Sequence, residues 1–355
     1  MTRWLRRLSM GVAGMVVACL LVGVAFESVM RSRLPRDFPP PGRLVDIGSR
    51  RIQIDCRGAG SPTVVLEAGY GDSGASSWYP LHDDIAAITR ACSYSRAGMM
   101  WSDPDPRGFS LERNAEDLHR ALEVAGERGP FVMVAHSLGG SYAVTYTSRF
   151  GAAVAGLVLV DTPHPDQFSR IEAAARKAGI DPSLVLSAGA RPTAIGFLAR
   201  VGILRLLPLA SFGDERMPTD LRWAIRAYLP TTLDANFVPQ NALAHAIAGS
   251  GRFRDLGVRP VAVLYSRDLQ SDETLAAIGI SRAQMDVVAS EWRALHEDMA
   301  GWSSNGWSEG VPKSGHYIQR DHPAAVLAQI RRVVLAVRDP AKAAAANTER
   351  QPGKR

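Results

Sequence analysis

The pattern of apolar and polar positions between residues 43 and 339 predicts alternating strands and helices. Short apolar and β-branched runs indicate eight strands, at residues 43–48, 51–56, 63–67, 91–95, 131–136, 155–160, 260–266 and 308–312. Helical patterns separate the later runs, at 80–90, 111–125, 138–149 and 322–338. Continuous apolar strands that alternate with helices are typical of a mostly parallel sheet with helices on both faces. The pattern therefore predicts an α/β fold.

Two segments depart from this alternation. Only residues 49–50 separate the first two predicted strands, which is too short for a helical crossover, so we expect an antiparallel hairpin. Residues 165–255 are helix-rich, and we interpret them as a cap inserted over the mouth of the sheet. The sheet and its helices are then expected in two pieces, 42–164 and 256–339.

The N-terminus carries a long apolar stretch. The 19 residues from Leu8 to Phe26 are uncharged, which suits a bilayer-spanning helix and exceeds the apolar region of a cleaved signal peptide. Arginines before this stretch favour a cytoplasmic N-terminus. Residues 1–41 are therefore expected to be a membrane anchor that ends in a proline-rich linker at 35–42. The body would lie outside the cytoplasm, or would be secreted if the segment were cleaved.

The charge of the chain gives no indication of nucleic-acid binding. The formal net charge is +6, but six arginines lie before residue 42 and four cationic residues lie in 340–355. The body between them is close to neutral and offers no basic surface for a phosphate backbone. Residues 340–355 are expected to be a disordered tail. The three cysteines and the spacing of the histidines match no metal motif, so no metal or cofactor is expected.

Residues 131–140 (FVMVAHSLGG) combine a buried strand, a serine and the start of a helix. The small residues Ala135 and Gly139 lie two positions on either side of Ser137. A sharp strand-to-helix turn exposes such a serine in a strained conformation, and only small neighbours avoid a clash. Ser137 is therefore a candidate nucleophile, although a serine at this place could also act only as a helix N-cap.

His316 is the candidate general base. It lies in a loop between the last predicted strand and the terminal helix. An imidazole titrates near neutral pH, so it can take a proton from serine and later give it to a leaving group. His136, directly before Ser137, is expected to be turned away from the site.

A second motif suggests a different protein class. Gly69–Gly74 reads G-x-G-x-x-G after a strand, and Arg96 could serve as the partner of an NADP phosphate. The next helix, however, is predicted to begin near Pro80, too late for its N-terminus to meet a pyrophosphate. An NADP-binding protein is therefore the less favoured alternative.

These motifs together resemble the α/β-hydrolase superfamily with a helical cap, over residues 43–339. The matching stretches are Leu66–Gly71, Tyr94–Gly98, Trp101–Asp103, Ala135–Gly139, Gly156–Asp161, Ser314–Ile318 and Asp321–Pro323. Ala135 stands where glycine is commoner, and Ser95 departs from the family's aspartate. The resemblance implies an α/β-hydrolase fold and an oxyanion hole formed by the backbone N–H groups of Tyr70 and Leu138.

The resemblance leaves two candidates for the acid that orients His316. Asp268 follows the seventh strand, the commoner position, but with a spacing one residue shorter than usual. Asp161 ends the sixth strand, where some family members place the acid, and is slightly favoured. The resemblance also makes the strands of Cys56 and Cys92 antiparallel neighbours, so a disulfide between them is expected, with two buried free thiols as the alternative.

The sequence thus predicts a membrane-anchored serine hydrolase, such as a carboxylesterase or lipase-like enzyme. Its expected partners are a small acyl substrate, which forms an acyl-enzyme on Ser137, and a membrane contacted through residues 8–26. No nucleic acid is expected. The alternative from another class is a hydrolase-fold receptor that binds a small molecule with little turnover.

Overall fold

Eight strands form one sheet in a computed structural model that describes residues 2–186, 194–206, 216–235, 238 and 240–341. Their bounds are β1 Arg43–Asp46, β2 Arg51–Arg57, β3 Thr63–Glu67, β4 Ala91–Ser95, β5 Phe131–His136, β6 Val154–Val160, β7 Val261–Ser266 and β8 Gly306–Val311. The spatial order is β1-β2-β4-β3-β5-β6-β7-β8. β2 is antiparallel to both neighbours, and the other pairs are parallel. The predicted α/β-hydrolase sheet and its opening hairpin are confirmed.

Helices cover both faces of the sheet. The bounds are α1 Thr2–Asp37, α2 His82–Ala86, α3 Leu111–Val124, α4 Gly139–Phe150, α5 Gln167–Lys177, α6 Ala194–Arg200, α7 Ile203–Leu206, α8 Thr219–Ala235, α9 Gln240–Ser250, α10 Asp272–Ala277, α11 Arg282–Ala300, α12 Ile318–Asp321 and α13 Pro323–Arg338. One core packs α3 and α4 on the sheet, and the other packs α2 and α13 on the opposite face. The interior is thus two apolar layers separated by the strands.

The described parts of residues 165–255 contain helices α5 to α9, and the assignment of this segment as a cap stays a prediction. The pattern did not predict α11, a helix of 19 residues after β7. Its N-terminus carries a capping box, in which the Ser281 hydroxyl accepts from the Gln284 N–H and the Gln284 side chain accepts from the Ser281 N–H. This S-x-x-Q spacing is the sequence signal that could have located the helix.

Helix α1 is longer than the predicted membrane span at residues 8–26. It runs through Pro35 to Asp37, so residues 35–37 are helical and not part of an extended linker. Leu34 is buried beside Trp101, which holds this end of the helix against the body. The earlier part of α1 is apolar and exposed, and it is long enough to cross a membrane. The predicted tail lies outside the described residues from 342 onwards.

A disulfide joins Cys56 and Cys92, which are direct partners across the antiparallel pair β2–β4. The Cα atoms are 4.0 Å apart, and Cys92 is fully buried. The bond links segments 36 residues apart at the side of the sheet that leads to β1.

Removal of the disulfide by Cys56→Ser with Cys92→Ser should lower the free energy of unfolding by about 2–4 kcal/mol, because the unfolded chain regains freedom. Thermal unfolding of the variant and of the parent, both in the same detergent, measures this. Cys19→Ser is the matched control, since Cys19 is an exposed free thiol and its loss should leave the transition unchanged. Equal midpoints for the double variant and the parent would contradict the expectation.

Candidate active site

Ser137 occupies a strained corner between β5 and α4. Its φ angle is +51°, a left-handed value that is uncommon for a residue with a side chain. The Ser137 N–H donates to Val160 O at 3.0 Å, which ties the corner to the end of β6. A Cβ on Gly139 would lie 2.8 Å from the backbone oxygens of Glu67 and Ala68, so the close approach of β3 requires glycine there. These contacts agree with the steric reasoning from the sequence.

His316 is brought to this corner by the loop after β8. Its Nδ1 lies 2.7 Å from Asp161 Oδ2, and its side chain is 45% exposed. Its backbone oxygen accepts a hydrogen bond from Nε2 of His136, the residue before Ser137, at 3.0 Å. An Nδ1–H donated to Asp161 leaves Nε2 of His316 as the nitrogen that can accept a proton.

Asp161 is the carboxylate in contact with His316, and it is almost fully buried. Its second oxygen accepts from the Ser266 N–H at 2.9 Å and from the Trp292 indole N–H at 3.4 Å. Asp268 is exposed, and its carboxylate accepts from the Lys313 N–H at 2.6 Å. The two candidates are thus separated by the structure: one contacts the imidazole, and the other caps the loop that leads to it.

Electrostatics favour a charged carboxylate beside a readily protonated imidazole. Burial by itself raises the pKa of Asp161, but the hydrogen bond and charge of His316 outweigh it, and the net pKa is lowered. Burial by itself lowers the pKa of His316, but the hydrogen bond to Asp161 and its charge give a net increase. The pair therefore stabilises positive charge on the imidazole.

The loop after β3 passes directly beside Ser137. A Cβ on Gly69 would lie 3.2 Å from Ser137 Cβ, so only a bare glycine lets this backbone come so close. Tyr70 follows Gly69, and its hydroxyl accepts from the Val238 N–H of the cap at 3.3 Å. Leu138, buried, precedes the first residue of α4. The backbone of Tyr70 and Leu138 therefore borders the nucleophile corner from the β3 loop and from the helix start.

Arg96 holds the loop after β3 in place. Its guanidinium pairs with buried Glu67 and donates to the backbone oxygens of Ala68 and Gly69, at 2.5 and 2.6 Å. Burial raises the pKa of Glu67 and the cation opposes that shift. Arg96 is only 6% exposed, so it holds the loop instead of offering a charge to an NADP phosphate. The G-x-G-x-x-G stretch leads into a short 3₁₀ helix at Gly74–Trp78.

His136 is not turned away from the site, contrary to the sequence prediction. Its Nδ1 lies 3.2 Å from Asp72 Oδ2, and that oxygen also accepts from the Gly69 N–H at 2.9 Å. Its ring centre is 4.7 Å from that of His316. His136 therefore joins the β3 loop, the nucleophile strand and the His316 loop. The prediction failed because it considered only the local turn, whereas the loops after β3 and β8 supply the partners of this side chain.

A cavity of about 350 Å³ opens beside Asp161 and His316. Its apolar lining comes from residues 168–186, from the loop after β7 and from α11, namely Phe168, Ile171, Val185, Leu186, Leu269, Met285, Val288 and Trp292. Gln167 also lines it, and its buried side-chain oxygen has no hydrogen-bond partner among the described residues. The cavity thus offers a largely apolar surface, in which the Gln167 oxygen is a buried acceptor without a partner in the described part of the chain.

Comparison with known protein families matches residues 64–330 to the alpha/beta hydrolase family. The chain belongs to that family. In sequence, this hydrolase-family chain is 30% identical to the uncharacterized protein YqjL of Bacillus subtilis (strain 168) over 105 residues, which is 30% of the chain and 41% of YqjL. The chain spans between 14% and 50% of the length of the curated relatives it matches.

Solved structures share the fold at low sequence identity. A thermophilic esterase from Thermogutta terrifontis superposes with a TM-score of 0.54 at 21% identity, covering 83% of this chain and 98% of the esterase. An epoxide hydrolase from Bacillus megaterium superposes with a TM-score of 0.55 at 13% identity, covering 82% and 100%.

Two partners at the site were missed by the sequence reasoning. Trp292 lies on α11, which had not been predicted, and Asp72 was considered only as a variable position in a glycine-rich motif. The sequence spacing of Gly69 and Asp72 was a usable signal for Asp72. An aspartate close after a glycine in a turn can accept the glycine N–H, as it does here. For Trp292 the chain offered no local signal beyond the capping box of its helix.

The pH dependence of stability should reveal the Asp72–His136 pair. Burial raises the pKa of Asp72, yet the hydrogen bond and charge of His136, with nearby Arg320, lower it from 3.8 to about 2. A depressed carboxyl pKa contributes stability above about pH 4 that is lost as the pH falls toward 2. The parent should therefore lose about 2 kcal/mol more than Asp72→Asn between pH 5 and pH 2.

Urea unfolding at several pH values in this range measures the difference. Parallel curves for the parent and Asp72→Asn would show that Asp72 has no depressed pKa in the folded protein.

Proposed function

We propose that this chain is a membrane-anchored serine hydrolase that cleaves carboxylic esters with a lipophilic acyl or alcohol group. The observation that carries the proposal is the 2.7 Å contact between His316 and buried Asp161, with the His316 backbone hydrogen-bonded to His136, the residue before the left-handed Ser137. A nucleophile, a base and an acid that orients the base are the groups that acyl transfer needs. Family membership supports hydrolysis as the reaction class.

The proposed reaction has two stages. Ser137 Oγ attacks the ester carbonyl carbon while His316 Nε2 takes the hydroxyl proton, and the negative oxygen accepts from the N–H groups of Tyr70 and Leu138. The C–O bond then breaks, and the alcohol leaves with the proton from His316. A water molecule gives a proton to His316 and attacks the acyl carbon. The carboxylic acid departs and Ser137 regains its proton.

The cavity supports the choice of a lipophilic substrate. Its apolar walls lie beside Asp161 and His316, so an alkyl chain can be buried there while the ester carbonyl stays at Ser137. The unpartnered oxygen of Gln167 suits a hydroxyl or amide donor on the bound chain. A serine at the corner also argues against the epoxide-hydrolase reaction, which in this fold uses an aspartate there.

The apolar part of α1 supports membrane attachment through residues 8–26. We place the hydrolase body outside the cytoplasm, since arginines precede the span and the disulfide suits an oxidising compartment. The domain assignment that follows is an anchor at 1–41, a hydrolase core at 42–164 and 256–339, and a cap at 165–255.

Ser137→Ala should abolish labelling by a fluorophosphonate probe and lower kcat/KM for p-nitrophenyl esters by at least about 10³-fold. The matched control is Ser141→Ala, one turn along α4, whose buried hydroxyl has no partner among the described residues. Ser141→Ala should keep both activities. Undiminished hydrolysis by Ser137→Ala would refute the proposed mechanism. Labelling of the parent without turnover of any ester would favour the receptor alternative.

Asp161→Asn and Asp268→Asn distinguish the two acids. Asp161→Asn should lower kcat by about 10³–10⁴-fold because the imidazole loses the charge that holds and stabilises it. The acidic limb of its pH profile should also shift to lower pH. Asp161 raises the pKa of His316, and only the neutral ring acts as base, so loss of that charge lets the base work at lower pH. Asp268→Asn should stay within a few-fold of the parent. A pH profile of kcat/KM for the three proteins provides the measurement, and a larger loss in Asp268→Asn than in Asp161→Asn would reverse the assignment.

A further inference from the structure

The base of helix α1 is fastened to the cap. A Cβ added at Gly23 would lie 2.3 Å from Val201 O. A Cβ added at Gly202, whose φ is +73°, would lie 3.2 Å from Gly23 O. Gly23 is needed for this approach because any side chain there would meet the Val201 backbone, and Gly202 is favoured by its left-handed backbone. The contact falls at the junction between α6 and α7.

A buried ion pair fixes the same joint. Glu27 is 2% exposed and pairs with Arg31 on its own helix and with Arg205 of α7. Arg205 also donates to Ala227 O of α8 at 3.1 Å. One guanidinium thus connects α1, α7 and α8, so the cap has a defined position relative to the anchor.

Large apolar side chains are exposed next to this joint. Phe197 on α6 is 54% exposed, Trp223 on α8 is 51% exposed, and Ile203 at the start of α7 is 37% exposed. Phe197 lies one turn before the Gly23 contact, since its oxygen accepts from the Val201 N–H. Trp223 lies one turn before Ala227, the residue held by Arg205.

Each exposed aromatic residue is followed three positions later by an arginine on the same helix face, Arg200 after Phe197 and Arg226 after Trp223. The Arg226 guanidinium lies 5.1 Å from the centre of the Trp223 ring. Aromatic rings with neighbouring cations are favoured at the boundary between acyl chains and phosphate groups. We call Phe197, Arg200, Ile203, Trp223 and Arg226 the cap face.

The position of the joint along α1 agrees with such a boundary. The uncharged stretch from Leu8 to Phe26 is about 28 Å long at 1.5 Å per residue, close to the thickness of a bilayer core. Gly23 lies near its end, where the helix leaves the acyl chains. A cap attached at Gly23 therefore meets the lipid surface.

We propose that the cap face rests on the phospholipid surface, with its aromatic side chains among the upper acyl chains and its arginines at the phosphates. This inference rests on the membrane attachment in the proposed function. It makes the cap a peripheral membrane element, so that an amphiphilic ester can leave the bilayer at the cap and reach the cavity beside His316.

Site-specific fluorescence in vesicles tests the proposal on the full chain. In a Cys19→Ser background, single cysteines from Phe197→Cys or Trp223→Cys carry an environment-sensitive fluorophore, and the Cys56–Cys92 disulfide leaves no other free thiol. The vesicles contain phosphatidylcholine and phosphatidylglycerol, with or without a spin-labelled lipid as quencher. Val258→Cys is the matched control, because Val258 is an apolar residue with 80% exposure on the loop before β7.

The labels at 197 and 223 should emit at shorter wavelength than the label at 258, lose most of their emission to the spin-labelled lipid and resist aqueous iodide. Full iodide quenching at 197 and 223, equal to that at 258, overturns the proposal. Shielding from both quenchers also overturns it, because a protein partner, such as a second copy, would then cover the face.

A label at Met15→Cys distinguishes failure of the cap-face proposal from failure of membrane attachment, since Met15 lies within the apolar stretch and is 63% exposed. Quenching by a deep spin-labelled lipid at 15 with none at 197 and 223 refutes the cap face alone. No quenching at 15 refutes the membrane attachment, while the labelling of Ser137 tests the hydrolase activity independently.

Discussion

The hydrogen bond between His316 and Asp161 joins residues 155 positions apart, and the geometry of the site depends on it. It forms because β6 and β8 run parallel on either side of β7, so the loops after them leave the same edge of the sheet. The β7 end contributes as well, since the Ser266 N–H holds the other oxygen of the carboxylate. In a parallel sheet, the order of the strands thus determines which residues at the strand ends lie close together in the site.

Buried charges arrange the loops around this bond. Arg96 with Glu67 holds the loop after β3, and Asp72 with His136 connects that loop to the backbone of His316. Compared with apolar side chains of the same size, such pairs add little net stability, because burial of each charge costs about as much as the pairing returns. They do restrict the backbone to the arrangement in which each charge has its partner. Most other conformations of these loops would leave a buried charge without its partner, so they are disfavoured.

The cavity and the cap face lie on different parts of the same insertion. Helix α5 contributes to the wall beside His316, whereas α6, α7 and α8 meet the base of α1. Glu27 at this joint is buried and charged, unlike the exposed apolar stretch before it. Within about one turn, α1 thus changes from an exposed apolar surface to a surface packed against the rest of the protein.

Local patterns in the sequence were sufficient to predict the strands, the corner at Ser137 and the apolar length of α1, because each depends on residues close together in the chain. They could not choose between Asp161 and Asp268, find α11, or place His136 beside Asp72. Those outcomes depend on which strand lies next to which and on which distant loops pack around the ends of the strands. Only the assembled sheet determines which distant side chains meet, because contact between them is a property of strand order and not of spacing.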